Sequence, residues 1–481
     1  MPAVHASPYS GHWYPGHAAE LGSLLDCSFH ESLARTGPYL YPGLLACVVP
    51  HAGPLYSGTV AASAYRTLAE RRPERVVLLG FSHRGGPPGV AWPDEDAITT
   101  PLGEVSIDRE FLLGLPFAPV REDTVCDHSV EIQLPFLQRA APGARLAPLY
   151  VGRLNSEGRA DAAIALKAAA GPGTVFIASS DFTHYGRDFG FLPFPADSRV
   201  PGRLHDLDHE CMGAAGSLDP EVFLDALRRN RSTVCGLGPI ALLLEVLRCR
   251  GGDTWQETLD YQTSGEITGD WRHSVSYAAL GYFPSTAFEL DAAARAALLE
   301  SAEATLRQLR ATGRRRVERA RGPAALESRR GVFVSLHQGE RLLGCIGNCG
   351  GGQPLAEAVP ELTLAAALDD PRFAPATRVE GEIEIEISVL SPMRLITREE
   401  QFQIGRHGAH LALGAHRGLL LPQVANGRDW SARGFLEALA RKAGLGPGAW
   451  RDPEARLSVF EAQVFSRRSL ARQDASAPAS E

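Results

Sequence analysis

Short, nearly continuous apolar runs punctuate the chain, and side chains able to bind a metal or move a proton follow directly on them. Gly43 to Pro50 (GLLACVVP) leads into His51, Arg75 to Gly80 (RVVLLG) into His83, and Thr174 to Ser179 (TVFIAS) into Asp181 and His184. Runs of this length suit strands buried on both faces, as in a parallel sheet covered by helices. Open α/β sheets gather their chemistry where the strands end, so residues remote in sequence converge on one pocket. A fifth residue, Cys235, lies just before the helical pattern Pro239 to Arg248 (PIALLLEVLR). A thiol at a helix N-terminus has its thiolate favoured by the dipole.

A chain of 481 residues exceeds one ordinary core, so two or three domains are expected. Strand and helix patterns alternate as far as Pro284, with Ser274 to Phe283 (SVSYAALGYF) as the last strand. This predicts an α/β domain over 1–285. Asp291 to Arg310 then reads as one amphipathic helix, with Ala294, Leu298, Leu299, Ala302, Leu306 and Leu309 on a single face. The basic cluster of Arg314, Arg315, Arg316, Arg319 and Arg321, closed by Gly322-Pro323, is expected to be a solvated linker.

From Gly331 the pattern becomes that of an antiparallel sheet. Gly331 to His337 and Arg341 to Ile346 flank Gln338-Gly339-Glu340 as a hairpin, and Glu382 to Leu390 alternates acid with isoleucine. Helices expected at Leu355 to Leu368 and Ala432 to Ala443 complete an α+β domain over 286–470. The residues 471–481, which contain the polar tail QDASAPASE from Gln473, are expected to be disordered.

Hydrophobic content of 44% with 22% charged residues describes globular material, and a net charge of -8 argues against nucleic acid as a partner. Among the 48 basic residues only Lys167 and Lys442 are lysines. The longest apolar runs, about eight residues, fall well short of the roughly 20 needed to span a bilayer. The N-terminus shows no secretory pattern, so a cytoplasmic protein with no membrane association is expected. Eight scattered cysteines are read as reduced thiols without structural disulfides.

Imidazole and thiolate both suit iron, zinc or copper, so His51, His83 and Cys235 form a candidate ligand set that leaves coordination positions open. Taken singly, each histidine reads as a hydrogen-bonded structural residue; the combination favours a metal. In Ser179 to Gly186 (SSDFTHYG), His184 is a candidate general acid or base, and Asp181 a group that binds metal or orients an imidazole. The same segment equally suits an Asx turn capped by Asp181. His128 and Glu131, one helical turn apart in DHSVEIQLP, are candidates to support the site from behind. Further along, Cys345 sits in LLGCIG and is a candidate nucleophile, with His407 in GRHG as its candidate base. The plainer reading makes Cys345 a small buried residue at a strand end.

These segments together resemble the Memo family, known in microbial genomes as AmmeMemoRadiSam system protein B. The matching pieces are HWYP (His12 to Pro15), PHAG with YSG (Pro50 to Gly58), Ser82-His83, DHSVEIQLPFL (Asp127 to Leu137), SSDFTHYG, Cys235-Gly236 and SVSYAA (Ser274 to Ala279). The resemblance implies the fold of the class III extradiol ring-cleaving dioxygenases, a non-haem iron family. It also implies that His51, His83 and Cys235 are ligands, with Asp181 and His184 beside them. Three departures mark this chain: Cys235 stands where the dioxygenases carry a carboxylate, Pro54 replaces the tyrosine that usually follows HAG, and Phe81 replaces a proline before Ser-His.

The later segment resembles the AMMECR domain, AmmeMemoRadiSam system protein A, through GVFVSL, LLGCIG, AAALDDPRF, SVLSP, IGRHG and LLLPQVA. Leu343 takes the place of the arginine in that family's L-R-G-C-I-G hallmark. The joint resemblance implies a two-domain protein, with a divalent metal (Fe(II) first, copper or zinc as alternatives), a small-molecule substrate, and a radical S-adenosylmethionine enzyme as a separate chain. Cys345 and Cys349 give C-x3-C with no third cysteine following, so the chain lacks that enzyme's cluster motif. Three functional readings result: a metal-dependent oxidoreductase of the dioxygenase type, a non-catalytic ligand- or protein-binding scaffold, and a metal-assisted hydrolase.

Overall fold

Three of the apolar runs become adjacent parallel strands at the centre of one sheet. The order is Ala46–Val49, Thr174–Ser179, Arg75–Gly80, Arg145–Val151, all parallel, with Val49 opposite Ser179 and Leu79 opposite Ala178. The computed structural model describes residues 3–121 and 125–470; the tail expected over 471–481 lies outside the described residues. Two units divide the chain, Met1–Ala287 and Phe288–Glu481.

In the first unit the parallel core extends to nine strands among the described residues. One edge is built by His273–Pro284, antiparallel to Ala46–Val49, which also pairs with Thr254–Thr263 and His184–Gly186. The other edge adds Val90–Pro93 and Ala118–Val120. The central strands are buried almost throughout, which is why their sequences lack alternation. Helix Pro54–Arg71 follows directly on His51, with Pro54 at its first turn, where a missing N–H costs nothing. Helix Leu237–Arg250, buried along most of its length, packs against helix Ser156–Ala169 and strand Thr174–Ser179. A separate three-stranded sheet joins Val4–Ala6, Ala97–Thr100 and Gly103–Ser106.

The second unit holds a seven-stranded sheet among the described residues, in the order Arg341–Asn348, Val332–Gln338, Glu384–Leu390, Arg456–Ser466, His407–Leu413, His416–Leu420, with Arg394–Ile396 paired to Arg456–Ser466. Every pairing is antiparallel. Alternating Val332, Val334, Leu336, Ile385, Ile387 and Val389 face helices Ala292–Thr312 and Leu355–Leu368 in one core. Asp291 caps the first of these helices by accepting from the Ala294 amide.

The arginine cluster is solvent-exposed and without regular structure, as expected of a solvated linker, but several of its side chains are paired. Arg315 pairs with Asp369 and Arg319 with Glu327 and Glu357, while the Ala320 amide donates to the Ala356 carbonyl. Exposed guanidinium groups still find carboxylates when the backbone between them is held, and here it is.

Gly344 shows how closely sheet and helix approach. A Cβ there would lie 2.0 Å from the Ala366 carbonyl oxygen, so only glycine fits without displacing backbone. Gly344→Ala is expected to destabilise the second unit by roughly 1–3 kcal/mol through overpacking. Urea denaturation followed by limited proteolysis reads this directly; an unchanged midpoint for the second unit contradicts the close-packing account.

Candidate metal centre

Because the strands ending at Val49, Ser179 and Gly80 run parallel and adjacent, their carboxyl ends deliver His51, Asp181 and His83 to one edge. His51 is 1% exposed. Its amide donates to Asp181 Oδ1 at 2.8 Å, and the Ala52 amide reaches the same oxygen at 3.3 Å. Asp181 thus ties the end of one strand to the loop leaving the next. Burial raises the Asp181 pKa, against the opposing influence of His184 and the two amides.

The two candidate histidine ligands are held by their Nδ1 atoms. His51 Nδ1 meets Ser179 Oγ at 3.0 Å, and Gln133 Nε2 donates to that same oxygen at 3.0 Å. With Nδ1–H donating to Ser179, His51 Nε2 carries the lone pair, and it lies 3.2 Å from Cys235 Sγ. Burial, reinforced by the His83 imidazole, lowers the His51 pKa to about 3, so the ring is neutral, as a metal ligand must be. His83 Nδ1 lies 2.8 Å from Asp127 Oδ1, and the His83 amide donates to Asp127 Oδ2 at 2.9 Å. Burial pushes the Asp127 carboxyl up, but the His83 hydrogen bond, His128 and the Ser129 amide outweigh it and bring the pKa to about 2. A carboxylate on the far nitrogen of a ligating imidazole fixes its orientation and raises its basicity.

Cys235 completes the group. His51, His83 and Cys235 each offer one ligand atom, all within 4.8 Å of one another, and Asp181, His184 and Cys235 satisfy the same limit. The Asp181 amide lies 3.3 Å from Cys235 Sγ. Burial, with the Asp181 charge adding to it, pushes the thiol's pKa up; a bound cation acts in the opposite direction. Gly236 lets Cys235 sit this close, since a Cβ there would come within 2.5 Å of the Ser179 carbonyl. A cleft of about 980 Å³ reaches Cys235, Phe81 and Ser82.

His184 stands on the same side. Its Nδ1 lies 3.0 Å from the Phe182 carbonyl and 3.1 Å from the Thr233 carbonyl, so the proton is on Nδ1 and Nε2 keeps its lone pair. Phe189 meets the ring edge-on at 5.1 Å.

His128 does lie against the cluster: its ring stacks on His83 at 4.1 Å and its Nδ1 is 3.2 Å from Asp127. Burial lowers its pKa to about 3. Glu131 differs from the expectation. The carboxylate pairs with His5 Nε2 at 3.0 Å, because its side of the short helix His128–Glu131 meets strand Val4–Ala6. The supports actually present, Asp127, Ser179 and Gln133, were not singled out from sequence. Asp127 lies in the quoted motif beside His128, which was the available signal.

In the second unit, strand alternation turns Gly344 toward helix Leu355–Leu368 and Cys345 to the opposite face. The Cys345 amide donates to Asp370 Oδ2 at 2.9 Å and Arg372 Nη2 donates to the Cys345 carbonyl at 2.9 Å. Lys442 is close enough for its charge to act on both Cys345 and Cys349; burial lowers its pKa, and the Cys345 thiol opposes that shift. His407 is elsewhere. Three strands separate its strand from that of Cys345, and its Nδ1 accepts from the Gln403 amide at 3.0 Å. An Nδ1 engaged in closing a local turn does not serve as the base for Cys345.

Comparison with known proteins identifies both units. Residues 5–281 match the model of the Memo-like protein family, and residues 299–465 match that of AMMECR1. A MEMO1 family protein of Methanopyrus kandleri is 34% identical over 296 residues, spanning 56% of this chain and 96% of that protein. The memo-1 homolog of Caenorhabditis elegans is 30% identical over 290 residues, spanning 57% and 81%. A solved structure of an uncharacterized protein from Pyrococcus horikoshii shares 33% identity and covers 35% of this chain and 89% of its own, with a TM-score of 0.33. The chain therefore belongs to the Memo-like protein family and carries an AMMECR1 domain after its Memo domain.

Proposed function

We propose that the Memo domain is a metal-dependent oxidoreductase of the non-haem iron type, acting on a small molecule. The observation that carries this reading is the convergence of His51, His83 and Cys235, with both imidazoles held through Nδ1 by Ser179 and Asp127. Two neutral imidazoles, one thiol and open positions fit a catalytic divalent site of Fe(II), copper or zinc. The dioxygenase-type fold implied by the Memo resemblance agrees with placing it at the strand ends. A divalent metal held there supplies Lewis-acid polarisation and, for iron or copper, electron transfer.

The chain's own residues provide orientation and proton handling. With Nδ1 held by two carbonyls, His184 keeps its Nε2 lone pair, and from its place beside Asp181 and Cys235 it accepts a proton from a small molecule bound there. The carbonyls of Phe182 and Thr233 hold the opposite nitrogen and stabilise the resulting imidazolium. Asp181 fixes the position of His51 through the backbone. The exposed Trp13 lies 4.3 Å from the His128 ring, and Leu55 and Tyr56 are exposed on the first turn after His51; these apolar groups suit the approach of an organic molecule. For the AMMECR1 domain we infer chemistry centred on Cys345, with Lys442 as its charged neighbour. The AmmeMemoRadiSam resemblance makes a radical S-adenosylmethionine enzyme the expected partner, as a separate chain, because this sequence does not carry that enzyme's three-cysteine motif.

Protein purified anaerobically without an affinity tag is expected to contain one equivalent of transition metal at this centre. His51→Ala or Cys235→Ser is expected to abolish it, and a metal content indifferent to both removes the basis of the proposal. Asp127→Asn is expected to weaken metal affinity about 10–100-fold with the fold retained, read by equilibrium dialysis beside circular dichroism. His184→Gln keeps the metal but lowers turnover of a co-purifying metabolite by about 10²–10⁴-fold. Oxygen uptake during that turnover supports an oxidoreductase, whereas equal turnover without oxygen identifies metal-assisted hydrolysis.

A further inference from the structure

A second group of metal-type ligands lies apart from the centre just described. His5 is the one buried residue of strand Val4–Ala6, whose neighbours on either side are exposed. That strand pairs in parallel with Ala97–Thr100, which fixes the face His5 presents. Cys126 directly precedes the motif aspartate Asp127, and Glu131 ends the short helix that follows. One ligand atom from each of His5, Cys126 and Glu131 falls within 4.8 Å of the others, and none of the three residues is more than 9% exposed.

The decisive observation concerns Glu131. The side chain is fully buried, its Oε1 lies 3.0 Å from His5 Nε2, and its Oε2 has no hydrogen-bond partner among the described residues. A buried carboxylate oxygen with no donor is costly. The surrounding hydroxyls do not answer it: Tyr14 donates to Ser7, and Tyr150, which accepts from the Asp127 amide, makes no hydrogen bond to Oε2. A plain His5–Glu131 ion pair accounts for Oε1 but leaves Oε2 without a donor. A cation among the three side chains satisfies that oxygen and draws on the thiol grouped with it.

We propose that His5, Cys126 and Glu131 form a second, buried site for Zn²⁺. One imidazole, one thiolate and one carboxylate form a donor set suited to zinc, with bonds of about 2.0–2.3 Å. Ligands on a tetrahedral ion at those lengths sit about 3.3–3.8 Å apart, which the three side chains reach by small rotations from their present spacing. Cys126 loses its proton on binding, and a water fills the fourth position. The site ties the N-terminal strand to the segment that carries Asp127 and His128, so its role is to hold the support of the first centre in place.

Cobalt(II) titration of the full chain distinguishes the two sites. In the His51→Ala/Cys235→Ser background, one equivalent of cobalt is expected to bind with thiolate-to-cobalt absorption in the near ultraviolet. Adding Cys126→Ser should abolish that absorption. Glu131→Gln, which preserves shape, should weaken binding at least tenfold while the thermal melt shows an intact fold. As a check independent of the double variant, Cys126→Ser alone should lower the zinc content of the otherwise native chain by one equivalent. The proposal is overturned if the background variant binds no cobalt, if its absorption survives Cys126→Ser, or if zinc content ignores that substitution. Loss of metal only at His51 and Cys235 bears on the first centre and leaves this result separate.

Discussion

The alignment of three parallel strands is the constraint on which the first centre rests. Ala46–Val49, Thr174–Ser179 and Arg75–Gly80 are neighbours in one sheet and end at the same level. Each could therefore contribute a single polar residue just past its last buried position without leaving unpaired backbone in the interior. Asp181 uses this arrangement twice, accepting the His51 and Ala52 amides while its own amide lies against the Cys235 sulfur. The reactive side chains are thus held by backbone geometry more than by one another.

The AMMECR1 domain solves a different problem. Its sheet is antiparallel, one face is covered by helices, and the hallmark segment lies on the end strand Arg341–Asn348. Gly344 admits the helix to one face, and the next residue, Cys345, is thereby directed to the other. Asp370 and Arg372 clamp the backbone on both sides of that thiol and pair with each other, and the Arg372 guanidinium and Lys442 ammonium both lie within electrostatic reach of the sulfur.

Legibility in the sequence followed the kind of force at work. Arg75–Gly80 and Thr174–Ser179 coincide with their apolar patterns because burial on both faces leaves an uninterrupted signature, and helix Leu355–Leu368 coincides because most of its surface is buried. Strand Thr254–Thr263 carried no such run: its sequence, TWQETLDYQT, is largely polar, and its place comes from pairing with His273–Pro284. Helix Ala18–Thr36 buries Ser28 and Ser32 along with Leu21 and Leu25, so its inward stripe is too weakly apolar to announce itself. The ligand trio was visible through residue type and position, but Asp127 acts on His83 across 44 residues, a relation that exists only in three dimensions. His407 has the right residue type for a base, but the order of strands sets it away from Cys345.

The three residues of the first centre are unequally covered. His51 is 1% exposed and pinned through both backbone and ring, whereas the His83 side chain retains 36% of its surface. Traffic into and out of such a cluster has a direction. An ion or small ligand arriving from water meets His83 before His51, and in leaving must be released last by the side that solvent reaches. The same imidazole whose orientation depends on Asp127 therefore also stands at the threshold, so a single carboxylate sets how tightly the centre holds its contents and how quickly it exchanges them.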